Sequence, residues 1–374
     1  MVDNSQEVLF ALVKAGLWET EVQFLPFGKV DYNEIMHLAE EQSVVGLVTA
    51  GLEHVTDVAV PKVELLQFIG QTLQIEESNR AMNSFISELM RELRYAGITA
   101  LLVKGQGVAQ CYDRPMWRAN GDVDLLLDKQ NYHKAKALLG KMASHASREW
   151  LYNLHQALTI DGWEVELHGT MRTELGKRID RELDHIQTNS LHNNEFRMWS
   201  NEGEIVPLPS PDNDVIFVFT HILQHFFRGG IGLRQICDWC RLLWCYRAEL
   251  DLRLLEQRIR RMGLLSEWKV FGTLAVNYLG MPVEALPLIN LNDNERLRGK
   301  SLMVMRHVIE TGNFGHNRDE SYHEKYPFLI YKAISFWQTT KDSFRHFLIF
   351  PKDSIRVWWL MLVGGLGRAV KGIS

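Results

Sequence analysis

The chain has 374 residues, with 41 Lys+Arg against 46 Asp+Glu and a formal net charge of −5. Binding nucleic acid by bulk charge needs a basic surface, so this balance argues against a stable nucleic-acid complex. Hydrophobic residues make 46% and aromatics 10%, the composition of a folded globular chain rather than a disordered one, and four cysteines are too few for a disulfide framework.

The first hundred residues read as helix. Asp31 and Glu34 have the spacing of a capping box ahead of Ile35, Met36, Leu38 and Ala39. After Pro61, apolar residues recur mostly at three- and four-residue steps (Leu65, Leu66, Phe68, Ile69, Leu73, Met82, Phe85, Ile86, Leu89 and Leu93), and Gly97 is placed to stop the pattern. No basic leader is recognisable, and no apolar run reaches the ~18–20 residues of a membrane span. The longest, Val357 to Leu366, is about half of that. A cytoplasmic protein is the expectation.

The pattern changes at Ile98. Ile98–Val103 reads as a short strand, followed by Lys104-Gly-Gln-Gly107 and one or two helical turns over Val108–Tyr112. Gly121–Leu127 alternates and then turns apolar, as a strand entering a core does. Gln130–Met142 is an amphipathic helix, and Trp150–Ile160 and Trp163–His168 form a hairpin about Asp161-Gly162. A second hairpin is expected between Glu195 and Pro207 around Asn201-Glu-Gly203. Beyond Pro207 the helical period returns over Asp212–Phe227, Leu233–Trp244, Leu252–Met262, Glu267–Leu279 and Arg296–Thr311, with a helical tail from Tyr322. The expected fold class is α+β: a helical region over 1–97, a small mixed-sheet core over 98–210 and a helical region over 211–374.

The chemistry concentrates between Leu101 and His168. Asp122 and Asp124 are two apart on a predicted strand and so share a face. Paired carboxylates repel and raise each other's pKa; a hard divalent cation removes the conflict, and Mg²⁺ is commonly held by one or two carboxylates plus substrate phosphates. Upstream, Lys104-Gly105-Gln106-Gly107 joins a strand to a short helix, where glycines allow close approach to phosphate. Lys104 and Arg118 add positive charge. Downstream, Glu164, Glu166 and His168 share a strand face, and one glutamate could add a third carboxylate. Taken singly, an Asp-x-Asp is most often a turn or a solvated strand end, a Lys-Gly a loop, and a lone His a hydrogen-bonded structural residue. Together they point to a metal–nucleotide site.

These residues resemble the nucleotidyltransferase fold of the DNA polymerase β superfamily, and more closely the bacterial uncharacterised nucleotidyltransferase family. The resemblance rests on Leu102-Val-Lys-Gly105, Arg118, Gly121-Asp-Val-Asp-Leu-Leu-Leu127 and Val165-Glu-Leu-His168, with a weaker likeness through His221, His225, Arg234 and Asp238. It implies that Asp122, Asp124 and Glu166 are catalytic and hold two Mg²⁺ ions, with Glu166 also helping to deprotonate the attacking hydroxyl. It implies that Lys104, Gly105, Gln106 and Arg118 bind a nucleoside triphosphate such as ATP, and that His168 positions the acceptor. The implied reaction moves a nucleoside monophosphate to a hydroxyl of a small molecule, sugar, peptide or protein and releases pyrophosphate. Two departures stand out: Gln106 where the superfamily has Ser, and Gly169 where the family strand continues with Trp. The alternatives are a toxin/antitoxin-type transferase modifying tRNA or protein, and a nucleotide-binding interaction protein that has lost turnover.

Three other features stand out. His221-x-x-x-His225 with Cys237-x-x-Cys240 has zinc-like composition, although small cysteines among Leu233, Ile236, Leu242 and Leu243 are ordinary core residues. The polar loop Gly312–Asp319 could close over a cleft, or simply connect helices. The tail carries Trp337, Arg345, Phe347, Phe350, Arg356, Trp358, Trp359 and Arg368, a stripe that suits a membrane surface or a partner but more often docks on its own protein.

Overall fold

The computed structural model describes residues 4–151, 153–193, 195–289, 295–315 and 328–370. The chain opens with helices α1 (Asn4–Trp18), α2 (Tyr32–Glu41), α3 (Val45–Glu53) and the long α4 (Lys62–Tyr95). Asp31 caps α2 by accepting from the backbone N–H groups of Asn33 and Glu34, which satisfies donors that a helix start leaves unpaired.

Five strands follow: β1 (Leu101–Val103), β2 (Val123–Leu126), β3 (His145–Ala146), β4 (His155–Ile160) and β5 (Trp163–His168). They form one sheet in the order β1-β2-β5-β4-β3. Only the β2–β5 pair is parallel. Helix α5 (Gly105–Ala109) follows β1 and α6 (Lys129–Leu139) follows β2. Strands β6 (Phe196–Asn201) and β7 (Glu204–Pro209) make the separate second hairpin.

Alternation sorts the sheet into two faces. Leu102, Val123, Leu125, Leu158, Val165 and Leu167 face one core with Phe85, Ile86 and Leu89 of α4 and Tyr132 and Leu139 of α6. The intervening residues Asp124, Glu166 and His168 therefore point the other way.

That second face is covered from far along the chain, by α8 (Pro211–Arg228) and α9 (Leu233–Cys245). Helices α10 (Leu252–Met262), α11 (Leu265–Leu279) and α12 (Glu295–Thr311) continue the layer, with α13 (Phe328–Ile349) and α14 (Pro351–Val370) after them. A larger core joins Val8, Leu12 and Val48 of the first helices to Phe219, Ile236, Trp239 and Phe271 of the later ones. Segments that flank the sheet in sequence thus share one apolar interior.

Helix α7 (Lys177–His192) answers to no sequence-predicted element. Its buried apolar stripe is thin, Ile179, Leu183, Ile186 and Leu191, set among charged and polar residues. The pattern acquires meaning only against α8 and α10, on which α7 packs.

The tail divides. Phe350 is buried and stacks on Phe271, whereas Trp337 and Trp359 are exposed at 71% and 58%. Arg345 pairs with Glu310 and Arg356 with Asp353. Residues 316–319 of the polar loop and the side chain of Arg368 lie outside the described residues. No described helix is long and apolar enough to cross a membrane.

One buried acid gives the tail contact a pH signature. Glu267 of α11 is fully buried and faces Asp353 in the first turn of α14. Burial, then the Asp353 charge, push its carboxyl from the usual 4.5 up to about 8. A folded-state pKa above the unfolded one stabilises at low pH, and that contribution is lost as pH rises through the folded value. Glu267→Gln is expected to melt at a higher temperature than the native chain at pH 9 and at nearly the same temperature at pH 5. Thermal unfolding at the two pH values checks this.

Candidate functional site

The turn after β1 sets the site. Lys104 has φ 58° and ψ −147°, a region almost reserved for glycine, and Gly105 follows at φ 41°. Holding a lysine there costs on the order of 1–3 kcal/mol, and such strain clusters at working sites. The turn carries Lys104 Nζ back over the sheet, 2.7 Å from Asp124 Oδ1 and 3.4 Å from His221 Nε2.

Parallel pairing sets Asp124 directly opposite Glu166. Asp122 stands just before β2, on the same face as Asp124. One ligand oxygen from each of Asp122, Asp124 and Glu166 lies within 4.8 Å of the other two. The electrostatics follow from this crowding. The Asp124 charge, then burial, raise the Asp122 carboxyl to about 6. Burial works against ionised Glu166, but hydrogen bonds from His155 and His168 prevail and hold it far below the usual carboxylate range. Burial likewise opposes a charged His168, yet its bonds to Asp124 and Glu166 raise it to about 9. Its Nε2 is 2.7 Å from Asp124 Oδ1 and 3.2 Å from Glu166 Oε2. Lys104 is deeply buried, which favours its neutral form; Asp124, Asp122 and Glu166 together outweigh that and raise its pKa.

Arg118 is 7% exposed, and Asp238 of α9 grips it with two bonds at 2.7 and 2.8 Å. Tyr112 Oη donates to the same carboxylate. Arg234 Nη1 donates to the carbonyls of Ala119 and Asn120 at 2.9 and 3.0 Å. Asn79 of α4 donates to the Arg118 carbonyl from the other side. The loop ahead of β2 is thus clamped between α4 and α9, which holds Asp122 in place.

Two cavities meet over these residues. One, of about 290 Å³, is lined by Lys104, Gly105, Arg118, Asp122, Asp124 and Arg234, among others. The other, of about 260 Å³, lies toward His155, His168, Arg172 and Arg228. Both reach Lys104, Glu166, His221 and His225, so they are two lobes of one cleft. His221 and His225 are both pushed down by burial first and the Lys104 charge second, His225 to about 4 and His221 well below its ordinary value.

Of the expected site residues, Lys104, Gly105, Arg118, Asp122, Asp124, Glu166 and His168 all line this cleft. Gln106 does not. Its side chain is 2% exposed and turns into the core, where Nε2 donates to Asn79 Oδ1 and braces the turn against α4. Glu164 is exposed and stays apart from the carboxylate group. His221 and His225 line the cleft while Cys237 and Cys240 are fully buried in the apolar core; among the described residues these four form no group of converging ligand atoms. The second departure has a packing cause: a Cβ on Gly169 would lie 2.5 Å from Leu154 Cβ, so no larger residue fits there.

His155 belongs to no motif in the sequence, yet it lies at the site. The Asp161-Gly162 turn, with φ of 49° and 84°, pairs Ile160 with Trp163 and therefore His155 with His168. Counting back from that turn finds it.

No curated protein matches the chain. The crystal structure of an antigenic nucleotidyltransferase-like protein from Paracoccidioides brasiliensis is similar at 15% identity and a TM-score of 0.30, over 50% of this chain and 90% of that one. Residues 28–280, more than half of the chain, match the model of the family described as uncharacterised nucleotidyltransferase, and the chain belongs to that family of transferases.

Proposed function

We propose that the chain moves a nucleoside monophosphate from a nucleoside triphosphate to a hydroxyl of an acceptor, be it a small molecule, sugar, peptide or protein. The acceptor oxygen bonds to the α-phosphorus, the bond to the β-phosphate oxygen breaks, and pyrophosphate leaves. The observation that carries this reading is the convergence of Asp122, Asp124 and Glu166 within 4.8 Å in a cavity also lined by Lys104, Arg118 and Arg234.

The donor set fits Mg²⁺. All three groups offer carboxylate oxygen, the ligand a hard cation takes, and the raised pKa of Asp122 reports repulsion that a dication would relieve. When bound, such ions supply the charge that stabilises the attacking and leaving oxygens together. The chain's own residues do the rest. Lys104 and Arg234 bring positive charge to the phosphates, and Arg118, braced by Asp238, fixes the loop that carries Asp122. His168 orients Asp124 and Glu166 through its two contacts. Glu166, held ionised by its two histidine neighbours, serves as a ligand and stands where it can help to deprotonate the attacking hydroxyl.

A second reading, a nucleotide-binding protein without turnover, draws on Lys104 Nζ lying 2.7 Å from Asp124 Oδ1, an ammonium seated among the carboxylates. One assay separates the two. Incubated with Mg²⁺, cell extract and triphosphates labelled at the α or γ position, the chain is expected to move label from α to an acceptor and none from γ. Nucleotide binding without transfer of either label would leave the second reading in force, and movement of γ label would mean a kinase.

A further inference from the structure

The β4–β5 hairpin builds a second ligand set on the far side of Glu166. His155 stands directly opposite His168 on the paired strand, and their ring centroids are 4.8 Å apart. Glu166, two residues before His168, projects from the same face. His155 Nε2 and His168 Nε2 each lie 3.2 Å from Glu166 Oε2, and the three ligand atoms fall within 4.8 Å of one another. Contacts of 3.2 Å lie at the long end of the hydrogen-bond range, about 2.7–3.2 Å. Metal–nitrogen and metal–oxygen bonds of about 2.0–2.2 Å at tetrahedral angles place neighbouring ligands roughly 3.3–3.5 Å apart. The spacing is close to that of donors facing one shared cation.

We infer that His155, Glu166 and His168 form a binding site for a first-row transition-metal dication such as Zn²⁺, distinct in chemistry from the all-oxygen set of Asp122, Asp124 and Glu166. Two imidazole nitrogens and one carboxylate suit borderline-soft ions, whereas Mg²⁺ prefers oxygen alone. Ligation by His168 exchanges its contact with Asp124 Oδ1 for the cation. Three protein ligands would leave one coordination position for a water or hydroxyl, and the residues lie in the lobe that also holds Asn153, Arg172 and Gln224. The existence of the site does not depend on the transferase reading; its use on an acceptor hydroxyl rests on that reading.

The test uses the full chain, stripped of metal by chelation and titrated with Co²⁺. Nitrogen-ligated cobalt of low coordination number absorbs visible light far more strongly than six-coordinate all-oxygen cobalt. The expected result is an intense visible band saturating at one equivalent, abolished by Zn²⁺ and untouched by excess Mg²⁺. His155→Gln and His168→Gln are each expected to weaken cobalt binding at least tenfold, with circular dichroism showing both variants folded. Absence of the band in the native chain, or native cobalt affinity in His155→Gln, would overturn the inference. A native chain that gives the band but transfers no nucleotide in the labelled assay would sustain the site and sink the proposed function, and the opposite pair of results would do the reverse.

Discussion

Asp122→Asn is expected to lower Mg²⁺-dependent transfer by roughly a thousandfold while leaving the melting temperature unchanged or slightly higher. The rate estimate takes about 4 kcal/mol of transition-state stabilisation for a lost metal ligand, at about 1.4 kcal/mol per tenfold. The stability estimate comes from charge. Asp122 is raised to about 6 by Asp124 and burial, so without a cation its ionisation at neutral pH costs folding free energy, and a neutral amide removes that cost. Asp124→Asn should lose as much rate but also melt lower, because Lys104 and His168 both rest on that carboxylate at 2.7 Å. Mg²⁺ should raise the melting temperature of the native chain and not of the Asp122→Asn, Asp124→Asn double variant. Parallel measurement of turnover and melting tests this; transfer at the native rate by the double variant would end the assignment.

Asp238→Ala is expected to destabilise the fold by about 3–5 kcal/mol, the usual cost of stripping one partner from a buried ion pair. Asp238 and Arg118 are 6% and 7% exposed, and Tyr112 depends on the same carboxylate. Removing the acid leaves a guanidinium in the interior beside Arg234, whose own pKa is depressed by burial first and by the Arg118 charge next. The double variant Arg118→Met, Asp238→Leu should recover much of the lost stability, because an apolar pair of similar volume leaves no buried charge unpaired. It should not recover activity, since the loop that presents Asp122 loses its clamp. Urea unfolding of the single and double variants, read against turnover, separates bracing from catalysis.

Much of the sheet was readable because local rules act there. Asp161-Gly162 adopts the positive φ values its two residue types favour and sets the β4–β5 register. The two-residue period then puts Glu166 and His168 on one face, and Asp122 and Asp124 on another that proves to be the same side of the sheet. The direction of the Gln106 side chain depends on α4: nothing in Lys-Gly-Gln-Gly reveals that Asn79 will stand beside the amide. Helix α7 went unseen because its sparse apolar stripe is sufficient only against the helices it packs on.

The sequence by itself determined the elements that depend on near neighbours: the capped helix at Asp31, the turn between β4 and β5, and the alternation along β2 and β5 that places their acids on one face. Tertiary structure alone decided what closes the site. Parallel pairing of β2 with β5 brings Asp124 to Glu166 across the intervening chain. The shared apolar core brings α8 and α9 down on that face, with His221, His225, Arg234 and Asp238. Backbone period and turn chemistry are local and can be read residue by residue. Burial of a face against a distant helix is a cooperative property of the whole chain, and no window of the sequence contains it.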